Sequence, residues 1–207
     1  NVQFAMLATR FRGNVDPYFD ANARGASQAG IRIGAYIYSY ATSVQMAEQE
    51  ADFVLNLIKD YPISFPVVFD AEDASTLGTL SPSEVSDVIN AFCRRVEEAG
   101  YYPMVYANEY WLTNKIDMSK MHYDVWVARY NQWYTFDSPA MWQRSNTGSV
   151  NGISGNVDID YLYKDFTQVI AANTWRTIGG KRYYYANHVM QKSAWIYVGQ
   201  NWDYMNA

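Results

Sequence analysis

The stretch of sequence best equipped for chemistry is Phe69-Asp70-Ala71-Glu72, which closes an apolar run that begins at Pro66. In an extended chain, residues i and i+2 point to the same face, so Asp70 and Glu72 project together. Two carboxylates in one pocket raise each other's pKa, and an apolar or aromatic wall adds desolvation. One acid then holds its proton while the other stays ionised, the division of labour that glycoside hydrolysis requires. The same pair could instead serve a hard cation, which would need several more oxygen ligands close by. Asp73 points the other way along an extended chain and reads as a capping or solvated residue. Asp158 and Asp160 form a second same-face pair after a Gly/Ser-rich loop at 146–155. For these two, a turn role competes with a role in the site.

Aromatic side chains gather at the ends of strand-like runs. Tyr36, Tyr38 and Tyr40 share one face of their strand, Tyr106 ends another, and Trp126 and Trp142 sit on two later ones. Rings in strands serve either as core or as platforms for the C–H face of a sugar. The two histidines, His122 and His188, have no Ser or Cys partner in a recognisable motif, which argues against a nucleophile triad. No G-x-S-x-G, P-loop or dinucleotide fingerprint occurs, and neither a cofactor nor a metal is expected.

These groups need a frame, and the sequence alternates strand and helix signals over its first 165 residues. Gln3 to Thr9 is a short apolar strand candidate. Asp16-Pro17 supplies an N-cap residue and a first-turn proline for a helix that Gly30 stops. Ile31 to Tyr40 reads as a strand. Ser43 to about Lys59 is amphipathic, with Ala47, Ala51, Val54, Leu55 and Ile58 inside and Glu48, Gln49, Asp52 and Lys59 outside. Pro66 to Ala71 is a buried-type strand. Ser81-Pro82-Ser83-Glu84 is a capping box that opens a helix reaching Gly100. Strands follow at about Met104–Ala107, Val125–Arg129, Ala140–Arg144 and Val157–Tyr161, with shorter connections. Such alternation implies an α/β fold with a mainly parallel sheet. Polar residues fall at the C-terminal ends of the strands, which favours an irregular (β/α) TIM-like barrel over a doubly wound open sheet.

Composition narrows the function classes. The 207 residues fit one domain of ordinary size with a small appendage, and 49% hydrophobic content excludes global disorder. Charged residues make up only 18%, below the usual ~25%, and 19 Tyr, 9 Phe and 7 Trp fill the difference. A net charge of −5 without a Lys/Arg cluster argues against nucleic acid as a partner. No apolar run approaches the ~18–20 residues of a membrane span. Cys93 is the single cysteine, so neither an intrachain disulfide nor a cysteine zinc cluster is possible. No secretory leader is read at Asn1, where the chain runs straight into a strand-like segment.

After Phe166 the texture changes. Trp195 matches Trp175, Val198 matches Ile178, Gly199 matches Gly179 and Tyr204 matches Tyr184, all at an offset of twenty. This predicts two hairpin-like repeat units. The expected division is therefore 1–166 for a catalytic domain and 167–207 for an aromatic repeat tail.

Six segments, in order, resemble family 25 of the glycoside hydrolases, the muramidases of bacterial autolysins and phage endolysins. They are Val15-Asp-Pro-Tyr-Phe-Asp-Ala-Asn, Gly30-Ile-Arg-Ile-Gly-Ala-Tyr-Ile-Tyr-Ser-Tyr-Ala, Val67-Val-Phe-Asp-Ala-Glu-Asp, Val125-Trp-Val-Ala-Arg-Tyr, Met141-Trp-Gln and Ile153-Ser-Gly-Asn-Val-Asp. The resemblance implies a barrel-like fold and cleavage of the β-1,4 bond between N-acetylmuramic acid and N-acetylglucosamine in peptidoglycan, at the bacterial cell wall. It implies Glu72 as general acid, Asp70 as stabiliser of an oxocarbenium- or oxazolinium-like species, and Asp158 as a further active-site acid. Tyr36 and Tyr106 fall at positions that line the family's sugar groove, and Tyr38, Trp126 and Trp142 are the other candidate substrate-binding rings. The substrate's acetamido group is an alternative nucleophile. A non-catalytic wall-binding protein on this scaffold, or a chitinase-like hydrolase, are the competing readings.

Two departures accompany the resemblance. The family usually opens with a strand bearing Asp-x-Ser, whereas here the chain begins at what corresponds to the second strand. An open gap, or a strand supplied by another chain, is therefore expected beside Gln3–Thr9. The tail resembles the aromatic wall-binding repeats of choline-binding proteins, in which Trp and Tyr cage a ligand, often a quaternary ammonium. That implies Trp175, Tyr184, Trp195, Trp202 and Tyr204 as wall-binding residues, with choline or another wall polymer as ligand. Arg182 stands where such repeats usually carry Trp.

Overall fold

The computed structural model describes residues 2–11 and 13–206. In chain order they form β1 (Phe4–Ala8), the two-residue strands β2 (Arg10–Phe11) and β3 (Asn14–Val15), α1 (Phe19–Gln28), β4 (Arg32–Tyr38), α2 (Val44–Ile58), β5 (Ile63–Asp70), α3 (Pro82–Glu98), β6 (Pro103–Asn108) and α4 (Glu109–Asn114). Then come β7 (Asp124–Ala128), β8 (Met141–Gly148) and β9 (Val157–Leu162), followed by β10 (Thr174–Ile178), β11 (Lys181–Ala186), β12 (Val189–Met190), β13 (Ala194–Val198) and β14 (Asn201–Met205).

Seven strands make one sheet in the order β1-β4-β5-β6-β7-β8-β9, parallel throughout except that β9 runs antiparallel to β8. A doubly wound sheet reverses its order at a switch point. This order never reverses, so the open doubly wound alternative is set aside. The two ends of the sheet, β1 and the β8–β9 connection, line the same cleft, so the sheet is curled into a half-barrel. It is not a closed barrel: among the described residues no strand pairs with the outer edge of β1 or of β9.

Side-chain alternation splits the core into two layers. Ile33, Ala35, Ile37, Val67, Phe69, Val105 and Val127 face outward against α2 and α3, where Ala47, Ala51, Val54, Leu55 and Ile58 are all buried as the helical pattern requires. Phe65, Val68, Met104, Tyr106, Trp126, Met141 and Phe166 fill the concave side. Ser43 caps α2 through Met46 N–H, and Ser81 with Glu84 forms the expected reciprocal capping box on α3.

The start of α1 differs from expectation. Asp16 does not cap the helix; its Oδ1 accepts from Tyr18 N–H at 2.8 Å and its carbonyl accepts from Phe19 N–H at 3.1 Å, so Asp16-Pro17-Tyr18 is a turn of its own and the helix begins at Phe19. A short Asp side chain closing on a backbone N–H two residues ahead competes with the cap role. Gly30 does stop the helix, at φ 73°.

Beyond β7 no helix among the described residues covers the outer face, and the segment 129–139 does that work with rings. Trp133 stacks on Trp142 at 5.0 Å and Tyr134 meets the same indole edge-on at 5.3 Å. Glu109 at the start of α4 anchors this segment, accepting from Thr135 N–H, Thr135 Oγ1 and Phe136 N–H and pairing with Arg129 at 3.2 Å.

The two C-terminal hairpins sit differently. The first packs on the underside of the barrel: Ile178 joins the outer core, Thr177 N–H donates to Ala99 O, and Tyr185 Oη donates to Lys59 O at 2.7 Å. Arg176 is fully buried there, its guanidinium 3.9 Å from the Tyr101 ring centre and 4.3 Å from that of Tyr185. The second hairpin pairs Trp195 with Tyr204 and Tyr197 with Trp202 across its strands, which puts all four rings on one face.

Candidate active site

Parallel register lays out the site. Tyr38 on β4 is opposite Asp70 on β5, Asp70 is opposite Tyr106 on β6, and Tyr106 is opposite Trp126 on β7. One row of side chains therefore crosses the concave face near the C-terminal ends of four strands. Together with Tyr36, Gln143, Asp158, Asp160 and β1, members of this row line a cleft of about 1190 Å³. A cleft of that size suits an oligosaccharide better than a single small metabolite.

Asp70 is buried, and its Oδ1 has no hydrogen-bond partner. Burial, and then the charge of Glu72, push its carboxyl well above the usual aspartate range. Glu72 lies just past the end of β5, half-buried, and its Oε1 accepts from Asn108 N–H at 2.6 Å. Burial raises Glu72 too, and the Asn108 bond offsets part of that rise. Asp73 acts as the sequence suggests: its Oδ1 accepts from the N–H and hydroxyl groups of Ser75 and Thr76. Burial works upward on Asp73, but those bonds outweigh it and hold the group low. Tyr38 Oη also reaches Asp73 Oδ2 at 3.3 Å, which ties the rim of the row to this turn.

The remaining acids come from β9. Asp158 is the more exposed, and burial still raises it. Asp160 accepts from Trp126 Nε1 at 2.8 Å, and burial carries its carboxyl up to about 7 in spite of that bond. The turn role left open for Asp160 is thus replaced by a role in holding Trp126. Tyr36 lines the cleft, its phenol pushed up to about 12 by burial and then by the charges of Asp70, Asp158 and Asp16. Tyr106 meets Trp126 edge-on at 4.7 Å.

Trp142 does not belong to this set. Met141 and Gln143 take the concave face of β8, so alternation turns Trp142 outward into the layer below the 129–139 segment, where its Nε1 donates to Arg129 O. Gln143 takes the inward place: its Oε1 accepts from Tyr106 Oη at 2.7 Å and from Tyr130 Oη at 2.8 Å. Gln143 and Tyr130 close two of the segments that carry the resemblance, yet neither was named as a site residue. The signal available was strand parity, since Gln143 and not its aromatic neighbour shares a face with Met141.

Among the described residues, no group of three or more His, Cys, Asp and Glu side chains is placed to hold a metal ion. None of the described helices is long and apolar enough to cross a membrane.

In the tail, Trp175 and Tyr184 share the outward face of the first hairpin, and there the guanidinium of Arg182 lies 4.3 Å from the Trp175 ring centre. On the second hairpin, Trp195, Tyr197, Trp202 and Tyr204 are 65%, 60%, 65% and 48% exposed, so that face is open. Tyr197 completes it and was not among the residues expected from the repeat.

A curled parallel sheet carrying acids and aromatic rings at its C-terminal strand ends has its candidate site where barrel enzymes carry theirs. The model of glycosyl hydrolases family 25 matches residues 2–153, and the chain belongs to that family. It is 32% identical over 165 residues to the protein YegX of Escherichia coli (strain K12), covering 77% of this chain and 58% of that one. Over 138 residues it is 29% identical to an autolytic lysozyme of Clostridium acetobutylicum, covering 66% of this chain and 41% of the relative. Among solved structures, the bacterial lysozyme from Streptomyces coelicolor is similar at a TM-score of 0.59 and 26% identity, covering 81% of this chain and 82% of that one. The CTP1L endolysin is similar at 0.67 and 28%, covering 81% and 59%. The chain thus spans little more than half the length of its Escherichia coli relative.

Proposed function

We propose that this chain is a glycosidase acting on bacterial peptidoglycan, an N-acetylmuramidase that hydrolyses the β-1,4 bond between N-acetylmuramic acid and N-acetylglucosamine. The observation that carries the reading is the carboxylate pair Asp70 and Glu72, raised by burial at the end of β5 beside a cleft walled by Tyr36, Tyr106 and Trp126. Glu72 is the general acid: Asn108 N–H fixes one of its oxygens and leaves the other to carry the proton to the leaving glycosidic oxygen. With the pair's shared proton on Glu72, Asp70 is the anion that stabilises the positive charge developing on the sugar ring or on its acetamido-derived ring, and Asp158 acts from β9. Tyr36, Tyr38, Tyr106 and Trp126 bind the glycan.

Purified Glu72→Gln should fold as the parent does and lose wall-clearing activity by about 10²–10⁴-fold, because Gln keeps the shape and delivers no proton. Turbidity clearance of bacterial walls, run beside sugar release from chitin, is the measurement. Parental activity in Glu72→Gln would remove Glu72 from the acid role, release from chitin alone would favour the chitinase-like reading, and no activity on either would favour a binding protein.

The tail, 167–207 in the division proposed here, holds the enzyme at the wall by its second hairpin, with choline or another wall polymer as ligand. The open four-ring face supports this. Trp175 and Tyr184 are the weaker members, since Arg182 already lies over Trp175. Replacing Trp195 and Trp202 together with Ala should cut wall pull-down severalfold and spare hydrolysis of soluble muropeptides. Undiminished pull-down would make the hairpin a structural extension.

A further inference from the structure

Gln143 is buried on the concave face of β8, and its Oε1 accepts two phenolic protons at once, from Tyr106 and from Tyr130. A carbonyl oxygen has two lone pairs, so this one is filled, and a phenol has one proton, so Tyr106 has none left for a carboxylate. Yet Tyr106 stands directly opposite Asp70 in register, close enough that the charges of Glu72 and Asp70 help to raise its own phenol. Across from it, Asp70 Oδ1 is buried with no donor among the described residues. A buried carboxylate oxygen without a donor is costly unless the group is neutral.

We propose that Gln143 is a positioning residue of this site: by holding the hydroxyl protons of Tyr106 and Tyr130, it withholds a donor from Asp70 and keeps a proton stored in the carboxylate pair. This rests on the reading of Asp70 and Glu72 as the reacting pair. The titratable groups around Asp70 are Glu72 at its own strand end, Tyr36 and Tyr38 from β4, Tyr106 from β6, Tyr130 from the segment after β7 and Asp158 from β9. None of them is a cation, so among the described residues no positive charge replaces the missing donor. A glutamine suits this task because it accepts strongly without adding another carboxylate to the cleft.

The test reads protonation directly, by carbon NMR titration of the aspartate carboxyls in the intact chain. Gln143→Met keeps the length of the side chain and removes the acceptor, which frees Tyr106 to turn to Asp70. The Asp70 midpoint should fall by about one pH unit or more, a tenfold change in its neutral fraction at a given pH. In a Tyr106→Phe background the same substitution should move it by no more than a few tenths. If Gln143→Met does not fold, as thermal melting would show, Tyr106→Phe alone decides: with its proton already given to Gln143, its loss should leave the Asp70 midpoint nearly in place. A midpoint unmoved in folded Gln143→Met, an equal fall in the Tyr106→Phe background, or a large rise in Tyr106→Phe alone overturns the proposal. Because the readout is not lysis, a chain that failed to clear walls would count against the muramidase reading and leave this one to its own result.

Discussion

Asp160 shows how a residue can be read correctly for its face and missed for its work. Its strand alternation was legible, but its partner Trp126 lies 34 residues away and is brought near only by the order of strands β7, β8 and β9. The consequence for stability has a definite sign. An unfolded aspartate titrates near ~4, whereas the folded group titrates at about 7, so the fold prefers the neutral form. That preference stabilises the fold fully below pH ~4 and is lost as pH rises through 7. Asp160→Asn keeps an oxygen for Trp126 Nε1 and removes the titration, so its melting temperature relative to the parent should climb between pH 4 and pH 8. Parallel melting curves across that range would mean the group is solvated and ordinary. Trp142 and Gln143 carry the companion lesson. In a strand, parity decides which side chain faces the cleft, and choosing the aromatic one over its neighbour reads residue type where geometry governs.

At the level of elements, local rules were the most legible. Ser43, and Ser81 with Glu84, started helices where capping chemistry says they should, because cap and capped N–H lie within three residues of each other. Asp16 used the same chemistry to close a turn instead, and nothing local separates the two outcomes. The absence of crossover helices after β7 was visible as fading periodicity, but what replaces them was not. There, one buried glutamate holds the segment that carries both the rings over Trp142 and Tyr130 of the cleft. Glu109→Ala would leave Thr135 and Phe136 without their acceptor and Arg129 without its partner, at a cost of about 1–3 kcal/mol. We expect a lower urea midpoint and, through Tyr130, weaker wall clearance from the same variant. Unchanged urea midpoint and activity would show that the aromatic stacking alone secures this segment.

Across the whole molecule, the mainly parallel sheet was legible in the alternation of strand and helix signals, and the open edge of β1 in the family resemblance, while the strand order and the open edge of β9 were not, since they depend on which edges meet in space. Both edges left unpaired among the described residues, those of β1 and β9, belong to strands that line the cleft, so the place where the barrel fails to close is also where the cleft opens. The two C-terminal hairpins pair a Trp with a Tyr at matching places, Trp175 with Tyr184 and Trp195 with Tyr204, but only the first turns a face inward against the underside of the sheet. At that seam the principal buried charge, Arg176, is held between two tyrosine rings and has no carboxylate counterpart among the described residues. Dissolved ions weaken exposed charge pairs such as Lys192 with Asp60, but they scarcely reach a guanidinium sandwiched between rings away from water. Brine or a densely anionic polymer matrix would therefore loosen the outer rim of this junction and leave its centre closed, so the hairpin should stay seated at ionic strengths that strip ordinary electrostatic contacts.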